Sequence, residues 1–331
     1  MTTPPPRPDV SILIVSFNTQ RVLRECLESI ERESAGLNVE ISIVDNDSSD
    51  GSPEMIAKDF PAVRLVRSKV NLGFGAANNA ALEGMRGRYI VILNSDAFLC
   101  PDSLRLSVQH MDANPRAGLG GGKLVGRDLS WQPSARMFPS ITTDFYVMTG
   151  LASRFPKSRI FGSFDRTWAD QSAAAEVDWV PGAFSILRAE VVEQVGFFDP
   201  AFFLYSEEVD LCRRIKAAGW QIWYWPDVSI IHIGGESSRQ VKTLEMSTTG
   251  AQLVLWRMRS TLLYYRKHHG WKAWLAKMLE LTLYRLIVIR NSFSKTPRRI
   301  ARAKEHRNLI VLMKQAWKDT NGGRISPPRP W

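Results

Sequence analysis

The chain has 331 residues, of which 44% are apolar and 10% aromatic, and it carries a formal net charge of +10. Its 11 Trp, 15 Phe and 7 Tyr residues supply ample material for a packed core, which excludes a mainly disordered chain. The charge is divided unevenly, because residues 1–237 hold 23 Lys and Arg against 29 Asp and Glu, whereas residues 238–331 hold 20 against 4. We therefore expect an acidic domain followed by a basic region.

Cysteine usage and the N-terminus indicate the compartment. Cys26, Cys100 and Cys212 lie far apart without a CxxC pair, which disfavours a disulfide framework or a thiolate zinc site. Residues 1–9 are polar and Pro-rich, so we expect a flexible N-terminus without an apolar signal region. No apolar run approaches the roughly 20 residues of a membrane span. These features predict a cytoplasmic protein whose membrane contact, if any, is peripheral.

Short β-branched runs alternate with segments of helical spacing in the acidic domain. Strands are predicted at Val10–Val15, Val39–Val44, Val63–Val66 and Tyr89–Leu93, and helices around Val22–Ile30, Pro53–Asp59 and Ala76–Met85. This alternation is typical of βαβ units and predicts an α/β fold with a parallel sheet covered on both faces. In such sheets, ligands bind beyond the carboxyl ends of the strands.

Polar residues follow three of these strands at the edge where a ligand would bind. Asn18, Asp45 and Asp96 each come after a predicted strand. One such residue could be a turn or a helix cap, but three at one edge favour a ligand site. Carboxylates there could hold Mg²⁺ or Mn²⁺ together with a diphosphate, since both cations take oxygen ligands. The glycines of Asn71–Gly75 could bring backbone N–H groups to an anion, or could simply begin a helix.

Three other ligand classes are excluded by the residues present. Asp45–Gly51 looks like a calcium loop, but position six is Asp50 rather than Gly and position twelve is Ile56 rather than Glu. Ser16–Gln20 lacks the glycine fingerprint of a dinucleotide fold. Gly120–Lys123 is not an ATPase phosphate loop, because its first Gly and its Ser or Thr are missing.

A second cluster of polar residues lies later in the acidic domain. Glu207, Glu208 and Asp210 follow an unusually aromatic segment over Phe197–Leu204. Carboxyl groups beside large apolar side chains have raised pKa values and can act as general bases. The alternative is a solvated first helical turn, where acidic residues complement the helix dipole. His232 ends a later apolar strand, either as a core histidine or as a second metal ligand.

The order of these motifs resembles that of the inverting nucleotide-sugar glycosyltransferases of family 2. Within that family the chain is most similar to bacterial rhamnosyltransferases, which use dTDP-rhamnose to build cell-wall and surface polysaccharide. The motifs that carry the resemblance lie within residues 10–240: Val15–Asn18, Val44–Gly51, Asn71–Phe74, Leu93–Asp96, Pro181–Ala183, Phe203–Leu211 and His232. The resemblance implies a GT-A fold, a Rossmann-like nucleotide-diphospho-sugar transferase domain, over residues 10–237.

The resemblance also implies a role for each matching residue. The donor would be bound by Ser16, Asn18, Asp45, Asn71, Gly73, Asn94, Ser95 and Asp96. Asp96 would bind Mg²⁺ or Mn²⁺ through the diphosphate, with His232 near the metal, and Glu208 would be the catalytic base. Trp179, Gly182 and Ala183 would contact the acceptor, although core packing is an alternative role for Trp179.

The chain departs from the family pattern at two positions. Asn94 replaces the first Asp of Asp-x-Asp, which removes a negative charge and is expected to weaken metal affinity. Glu208 replaces the usual Asp of the base motif, so Glu207 and Asp210 stay candidates for the base. The departures also permit a catalytically inactive glycan-binding or scaffold relative, and the donor could instead be a UDP- or GDP-sugar.

The basic region is expected to be helical over residues 238–320. Helices are predicted around Leu253–Tyr265, Trp271–Phe293 and Leu309–Trp317. In the second of these, Leu275, Met278, Leu279, Thr282, Leu286, Ile289 and Phe293 form an uncharged stripe flanked by Lys272, Arg285 and Arg290. Such a stripe could enter the anionic inner face of the cell membrane, or pack on the catalytic domain or a second subunit.

The basic charge also suggests nucleic acid as a partner, but that interpretation is disfavoured. An acidic domain is a poor partner for phosphates, and nucleic-acid binding leaves the carboxylate motifs unexplained. The family resemblance and the basic helices together imply a saccharide linked to a polyprenyl diphosphate as the acceptor. Residues 321–331, with Gly-Gly and three Pro, are predicted to be a disordered tail.

Overall fold

A computed structural model describes residues 6–234 and 251–329. Part of the predicted flexible N-terminus, the predicted boundary at residues 237–238 and the last two residues lie outside the described ranges. The strands are β1 (Val10–Ser16), β2 (Val39–Asp45), β3 (Arg64–Arg67), β4 (Tyr89–Asn94), β5 (Ala97–Leu99), β6 (Ala117–Val125), β7 (Trp131–Gln132), β8 (Ala175–Glu176), β9 (Phe184–Arg188) and β10 (Gln221–His232).

The helices fall into two groups along the chain. Those of the acidic part are α1 (Gln20–Glu33), α2 (Ser52–Asp59), α3 (Phe74–Leu82), α4 (Ser103–Ala113), α5 (Ile141–Thr149), α6 (Leu151–Arg154), α7 (Ala189–Val195) and α8 (Glu207–Ala217). Those of the basic part are α9 (Ala251–His269), α10 (Lys272–Ser292) and α11 (Pro297–Asp319). None of the helices in the described part of the chain is long and apolar enough to cross a membrane.

The sheet is mixed, with the strand order β3-β2-β1-β4-β9-β6-β10-β5. The first four strands in this order are parallel, as the βαβ pattern predicts. The other strands make the sheet mixed, because β9 runs antiparallel to β4 and β6, and β5 runs antiparallel to β10. Since β9 starts opposite Leu93, at the carboxyl end of β4, the segment before β9 reaches the edge where ligands bind.

Both faces of the central strands are buried, which explains why β1 is a continuous apolar run. Ile12 and Ile14 lie in one core cluster with residues of α1, whereas Leu13 lies in another with Ala77 and Ala81 of α3. Helices therefore cover the sheet on both sides, and the strand ends meet at a single edge.

The basic helices pack on the acidic part of the chain. Leu263, Tyr264 and Tyr265 of α9 are buried in one cluster with Phe202 and Leu211, which flank the acidic motif. The helices α10 and α11 pack on α9 and on each other. The basic region thus contributes buried side chains to the same hydrophobic core that supports the acidic motif of α8.

The end of the described chain is packed, which differs from the predicted disorder of residues 321–331. The Arg266 guanidinium donates to the Gly322 carbonyl at 3.0 Å, and the Ser326 hydroxyl donates to the Ala201 carbonyl at 3.1 Å. A Cβ at Gly323 would lie 2.2 Å from the Leu262 carbonyl oxygen. The two glycines allow this close approach to α9, so they dock the tail rather than loosen it.

Candidate donor, metal and base site

The ends of β1, β2 and β4 bring the predicted donor residues together. Ser16 is opposite Asp45 in the β1–β2 pair, and Val15 is opposite Asn94 in the β1–β4 pair. Asn18 follows β1 in a left-handed conformation with φ +51°. The structure therefore places Asn18, Asp45 and Asn94 at one edge of the sheet.

Asp45 presents a buried carboxylate oxygen to this edge. Its side chain is 2% exposed, and Oδ2 accepts a hydrogen bond of 3.0 Å from the Ser48 N–H. Its Oδ1 atom is shielded from solvent and has no protein partner. Burial raises the pKa of the Asp45 carboxyl above its ordinary value. An orphaned acceptor of this kind suits a nucleoside hydroxyl or ring N–H, which would satisfy it.

Asn18 fixes the loop that carries Asp45. The Asn18 N–H donates to the Ser48 hydroxyl at 2.9 Å, and the Asn18 Oδ1 accepts from the Ser49 N–H at 2.7 Å. Beside it, a cavity of about 520 Å³ is lined in part by Asn18, Asp50, Arg127 and Ile233. Asn18 therefore shapes the loop, whereas the family resemblance implies direct contact with the nucleotide.

The Asn71–Gly73 turn is locked to the strand edge by Asn46, which the sequence analysis did not single out. The Asn46 side chain donates to the Gly73 carbonyl at 3.2 Å and accepts from the Leu72 N–H at 3.1 Å. Asn71 Oδ1 accepts from the Gly73 N–H at 2.9 Å. The sequence offered one signal for Asn46, namely that it directly follows Asp45 at the end of β2. Successive residues of an extended segment point to opposite sides, so Asn46 can hold the neighbouring turn while Asp45 faces the site.

Gly73 cannot carry a side chain in this conformation. It has φ +81°, and a Cβ would lie 2.2 Å from the Phe203 carbonyl oxygen. That carbonyl accepts the Phe74 N–H at 2.9 Å. The turn at the start of α3 is thereby fastened to the aromatic segment that leads into α8.

Asp96 and His232 lie side by side, as the metal hypothesis requires. His232 Nε2 is 3.5 Å from Asp96 Oδ1, although the two residues come from β10 and from the turn after β4. The strand pairing explains the proximity, because His232 is opposite Ala97 in the β10–β5 ladder. Asn94, which stands where the family has an Asp, has its Nδ2 atom 3.5 Å from His232 Nε2.

Gln132 determines which nitrogen of His232 faces the site. Its Nε2 lies 2.8 Å from the His232 carbonyl, which can only accept, so the Gln132 Oε1 is the atom that lies 3.0 Å from His232 Nδ1. Because Oε1 can only accept, Nδ1 carries the proton. Nε2 is therefore the nitrogen that faces Asp96 and is left to bind a cation, as in histidines that bind metal.

The donor set at this place fits a divalent cation that also contacts substrate. A carboxylate oxygen and an imidazole nitrogen suit Mn²⁺ or Mg²⁺, which complete their coordination with phosphate oxygens and water. Within residues 6–234 and 251–329, no three His, Cys, Asp or Glu side chains are placed to hold a metal by themselves. A cation at Asp96 and His232 would thus need ligands from a bound diphosphate.

Ser16 and Ser95 belong to a buried hydroxyl chain. Thr19 Oγ1 lies 3.1 Å from Ser16 Oγ and 3.1 Å from Ser95 Oγ. All three side chains are buried. These hydroxyl contacts connect the end of β1 to the turn that holds Asp96. Ser16 and Ser95 therefore stabilise the donor edge from the protein interior.

Two neighbouring carboxyl groups, Glu207 and Glu208, begin α8 with raised pKa values. Burial is the main cause for both, and for Glu207 the charge of Glu208 adds to it. Glu207 is buried against Gly75 of α3, whereas the Glu208 residue is partly exposed. The Oε2 atoms of both residues are nevertheless shielded and without a partner. The partial exposure of Glu208 makes it the better candidate of the two to meet an acceptor hydroxyl as a general base.

Asp210 is held in an ion-pair network on the far side of α8. Its side chain is fully buried, and Oδ1 lies 2.7 Å from both the Lys267 ammonium and His268 Nε2 of α9. Oδ2 lies 2.9 Å from the Arg214 Nε. Burial alone would raise the pKa of Asp210, but these hydrogen bonds and charges outweigh it and lower the pKa to about 2. Such a weakly basic, fully paired carboxylate suits a structural role better than proton abstraction.

The segment before β9 connects Glu208 with the metal edge. The Gly182 backbone amide and the Arg136 charge stabilise the ionised form of Glu208 and so oppose the rise in its pKa. The next residue, Ala183, accepts the Asn94 N–H at 3.0 Å. Trp179 is buried, with its indole N–H on the Met137 carbonyl at 2.9 Å. The geometry gives Trp179 a packing role, while Gly182 and Ala183 lie between Glu208 and Asn94.

The turn before α8 is strained and is braced by α9. Tyr205 and Ser206 both have positive φ, at +72° and +69°, which costs about 1–3 kcal/mol for each residue. The Ser260 hydroxyl donates to the Leu204 carbonyl at 2.7 Å, and the Trp256 ring packs 4.3 Å from that of Phe203. Helix α9 therefore holds the turn that presents Glu208, a contribution that the sequence analysis missed.

These features define a nucleotide-sugar transferase with a GT-A fold. The model of the family "Glycosyl transferase family 2" matches residues 11–210, and the chain belongs to this family. It is thus a family 2 glycosyltransferase, and the prediction made from its motifs is confirmed.

Similar proteins extend the match into the basic helices. The chain is 28% identical to the N-acetylglucosaminyl-diphospho-decaprenol L-rhamnosyltransferase of Mycobacterium tuberculosis in an alignment of 285 positions, which covers 82% of this chain and 90% of that protein. It is 25% identical to the rhamnosyltransferase WbbL of Escherichia coli, over 77% of this chain and 92% of the relative.

A solved structure supports the fold. The mannosyltransferase PcManGT of Pyrobaculum calidifontis, in complex with GDP-Man and Mn²⁺, superimposes with a TM-score of 0.55 over 96% of this chain and 88% of that one. Its sequence identity to this chain is 16%. The GT-A prediction is confirmed on these grounds.

Proposed function

We propose that the protein transfers L-rhamnose from dTDP-rhamnose to a saccharide carried on polyprenyl diphosphate, with inversion at the anomeric carbon, in cell-wall or surface polysaccharide synthesis. The names of the M. tuberculosis and E. coli relatives support rhamnose as the sugar, and that of the first supports a lipid-linked acceptor. The reaction would take place at the inner face of the cell membrane, where such acceptors are embedded.

One observation carries the catalytic part of the proposal. The backbone of two consecutive residues links Glu208, a partly exposed residue whose carboxyl pKa is raised, to the edge that carries Asp96 and His232, since Gly182 faces Glu208 and the Ala183 carbonyl accepts the Asn94 N–H. Asn94 in turn contacts His232. A diphosphate held at Asp96 and His232 would therefore have Glu208 across a short stretch of backbone, where an acceptor hydroxyl can enter.

The residues divide the chemistry between donor and acceptor. Asp45 would receive a hydrogen bond from the nucleoside, and the N-terminus of α3 would favour the negative diphosphate. When bound at Asp96 and His232, a divalent cation would neutralise charge that develops on the leaving diphosphate.

Glu208 would complete a single displacement. Its carboxylate takes the proton of the acceptor hydroxyl while that oxygen forms a bond to the anomeric carbon and the bond from this carbon to the diphosphate oxygen breaks. One displacement without a covalent intermediate inverts the anomeric centre. The products are the glycosylated acceptor, the nucleoside diphosphate and a protonated Glu208.

A donor screen tests this function. Purified protein with Mn²⁺ is given dTDP-rhamnose, UDP-sugars or GDP-sugars and a GlcNAc-diphospho-lipid acceptor of short chain length, and the nucleoside diphosphate released is measured. We expect turnover with dTDP-rhamnose alone, and none with the Asp96→Asn variant as the matched control. Turnover only with a UDP-sugar or only with a GDP-sugar would show that dTDP-rhamnose is not the donor.

The same screen distinguishes an inactive relative. Donor binding by thermal shift without turnover, in the presence of acceptor, would indicate a glycan-binding or scaffold protein instead of an enzyme. The position of Asn94 argues against that outcome, because its amide contacts His232 and keeps the site intact despite the lost carboxylate.

A further inference from the structure

Exposed apolar side chains are concentrated in two segments of the chain. Of the thirteen large apolar side chains that are exposed in the described ranges, four lie within residues 145–160 and seven within residues 271–311. These segments are neighbours in space, because α5 packs against α10. Leu129 is the one such residue between positions 6 and 144. The rest of the described surface of the catalytic domain therefore lacks a cluster of exposed large apolar side chains.

Helix α10 has two apolar faces, and only one of them is covered. The buried residues of this helix are Ala273, Ala276, Leu281, Tyr284 and Asn291, with Leu281 beside the edge of the exposed face. At 100° per residue, the exposed face carries Trp274, Leu286 and Ile289, together with Trp271 and Phe293, which flank the two ends of the helix; Phe293 is 90% exposed. We call these five residues the outer face of α10. It overlaps the stripe predicted from the sequence, and it does not pack on the catalytic domain.

The surroundings of the outer face are strongly basic. Residues 271–311 contain ten Lys and Arg against only Glu280 and Glu305, and residues 145–160 contain three against none. Glu280 accepts a hydrogen bond of 2.7 Å from the Tyr284 hydroxyl, on the covered side of α10. Lys272, Arg285 and Arg290 are exposed and border the outer face. Apolar side chains bordered by long basic ones match an anionic bilayer surface.

A second copy of the chain fits this face less well. In a symmetric dimer the same patch meets itself, so the basic residues that border the outer face would be opposed by their own copies. Anionic headgroups would neutralise the same residues. Tryptophans such as Trp271 and Trp274 are favoured at membrane interfaces.

We infer that the outer face of α10 inserts into the interfacial layer of an anionic membrane, with Lys272, Arg285 and Arg290 on the headgroups. This deepens the proposed function and rests on it only in so far as a lipid-linked acceptor lies in that membrane. Because α10 packs on α9, and α9 braces the turn before Glu208, insertion would hold the catalytic centre at the membrane surface.

Vesicle flotation tests the inference. The full-length protein is mixed with vesicles of phosphatidylcholine alone or of phosphatidylcholine and phosphatidylglycerol in equal parts, and the floated fraction is measured at low and high salt. We expect flotation on the anionic vesicles, reduced by salt and weak on phosphatidylcholine. Wild-type protein that does not float on anionic vesicles at low salt overturns the inference.

Variants distinguish the face from general basic charge. The triple variant Leu286→Ser, Ile289→Ser and Phe293→Ser should bind anionic vesicles about tenfold more weakly. Arg285→Gln and Arg290→Gln should each weaken binding about fivefold. Leu129→Ser removes an exposed apolar side chain outside the two segments 145–160 and 271–311 and should bind like the wild type. Equal binding by the triple variant and the wild type would contradict the assignment.

Two further measurements separate this inference from its alternatives. The wild type and the triple variant should transfer sugar to a water-soluble acceptor analogue at the same rate. If neither protein shows this activity, the proposed function is refuted, whereas the flotation result still decides the membrane inference. A wild type that is dimeric by light scattering, with a monomeric triple variant and no flotation, would show that a second copy covers the outer face.

Discussion

Replacing Asp210 by Asn separates a structural carboxylate from a catalytic one. The carboxyl pKa falls from 3.8 to about 2 on folding, since Lys267, His268 and Arg214 surround it, and this corresponds to about 2 kcal/mol of stability at neutral pH. The variant also removes the buried carboxylate from Arg214 and Lys267, although Lys267 keeps its ion pair with Asp199, and breaking a buried pair costs about 3–5 kcal/mol in other proteins. We expect the Asp210→Asn variant to lose about 2–4 kcal/mol at pH 7.

The pH dependence of this loss follows from the direction of the shift. Because the folded pKa lies below the unfolded one, the stabilisation is complete above about pH 4 and disappears as the pH falls through about 2. Urea unfolding of both proteins should therefore show a constant difference from pH 7 to 5 that narrows below pH 4. The acid limb of the transfer rate should persist in Asp210→Asn. Unchanged stability together with a lost acid limb would refute the structural role and make Asp210 the base.

Three further predictions concern the donor edge. Gln132→Leu should raise the Mn²⁺ concentration for half-maximal activity about 10–100-fold, since the proton on His232 Nδ1 loses its acceptor; an unchanged requirement would contradict the assigned tautomer. Gly73→Ala should destabilise the protein by more than 1 kcal/mol in urea unfolding, because of its φ and the clash with Phe203, and wild-type stability would show that the turn can move. Asp45→Asn should weaken donor binding about tenfold by calorimetry, and equal affinity would place the nucleoside elsewhere.

The periodicity of the acidic domain was enough to predict the edge of the sheet. Runs such as Val10–Val15 and Val39–Val44 are apolar throughout because both faces of the sheet are covered, so their ends could be located from composition alone. The direction of β9 could not be predicted, since a short strand carries no signal for parallel or antiparallel pairing. The same limit applied to Gln132, whose role depends on the pairing of β7 with β6.

The three acidic residues of α8 illustrate what helical geometry could have added. Asp210 lies two positions after Glu208, about 200° around the helix, so the two carboxylates face opposite sides. Arg214, one turn after Asp210, was a further signal of an ion pair. The partners on α9, Lys267 and His268, are distant in sequence, and no local pattern indicates them. The choice of Glu208 as the base stays a prediction.

The basic region shows the opposite limit. The apolar stripe of α10 could be recognised in the sequence, but whether the protein covers it could not. A helix with apolar residues on two sides can pack on the protein with either side. Ala273 and Ala276 allow the close approach to the protein core, which leaves Leu286, Ile289 and Phe293 outside. The docked tail likewise depends on Gly323, whose contact with α9 is visible only in three dimensions.

The most direct test of Glu208 as the base is the pH profile of kcat/KM for transfer from dTDP-rhamnose, measured for the wild type and Glu208→Gln. Burial raises the pKa of Glu208 above 4.5, so the wild-type rate should fall as the pH drops towards that raised value. Glu208→Gln should be slower by about 10²–10⁴-fold and should lose the acid limb, with donor binding unchanged. A Glu208→Gln variant that transfers rhamnose at close to the wild-type rate would contradict the mechanism.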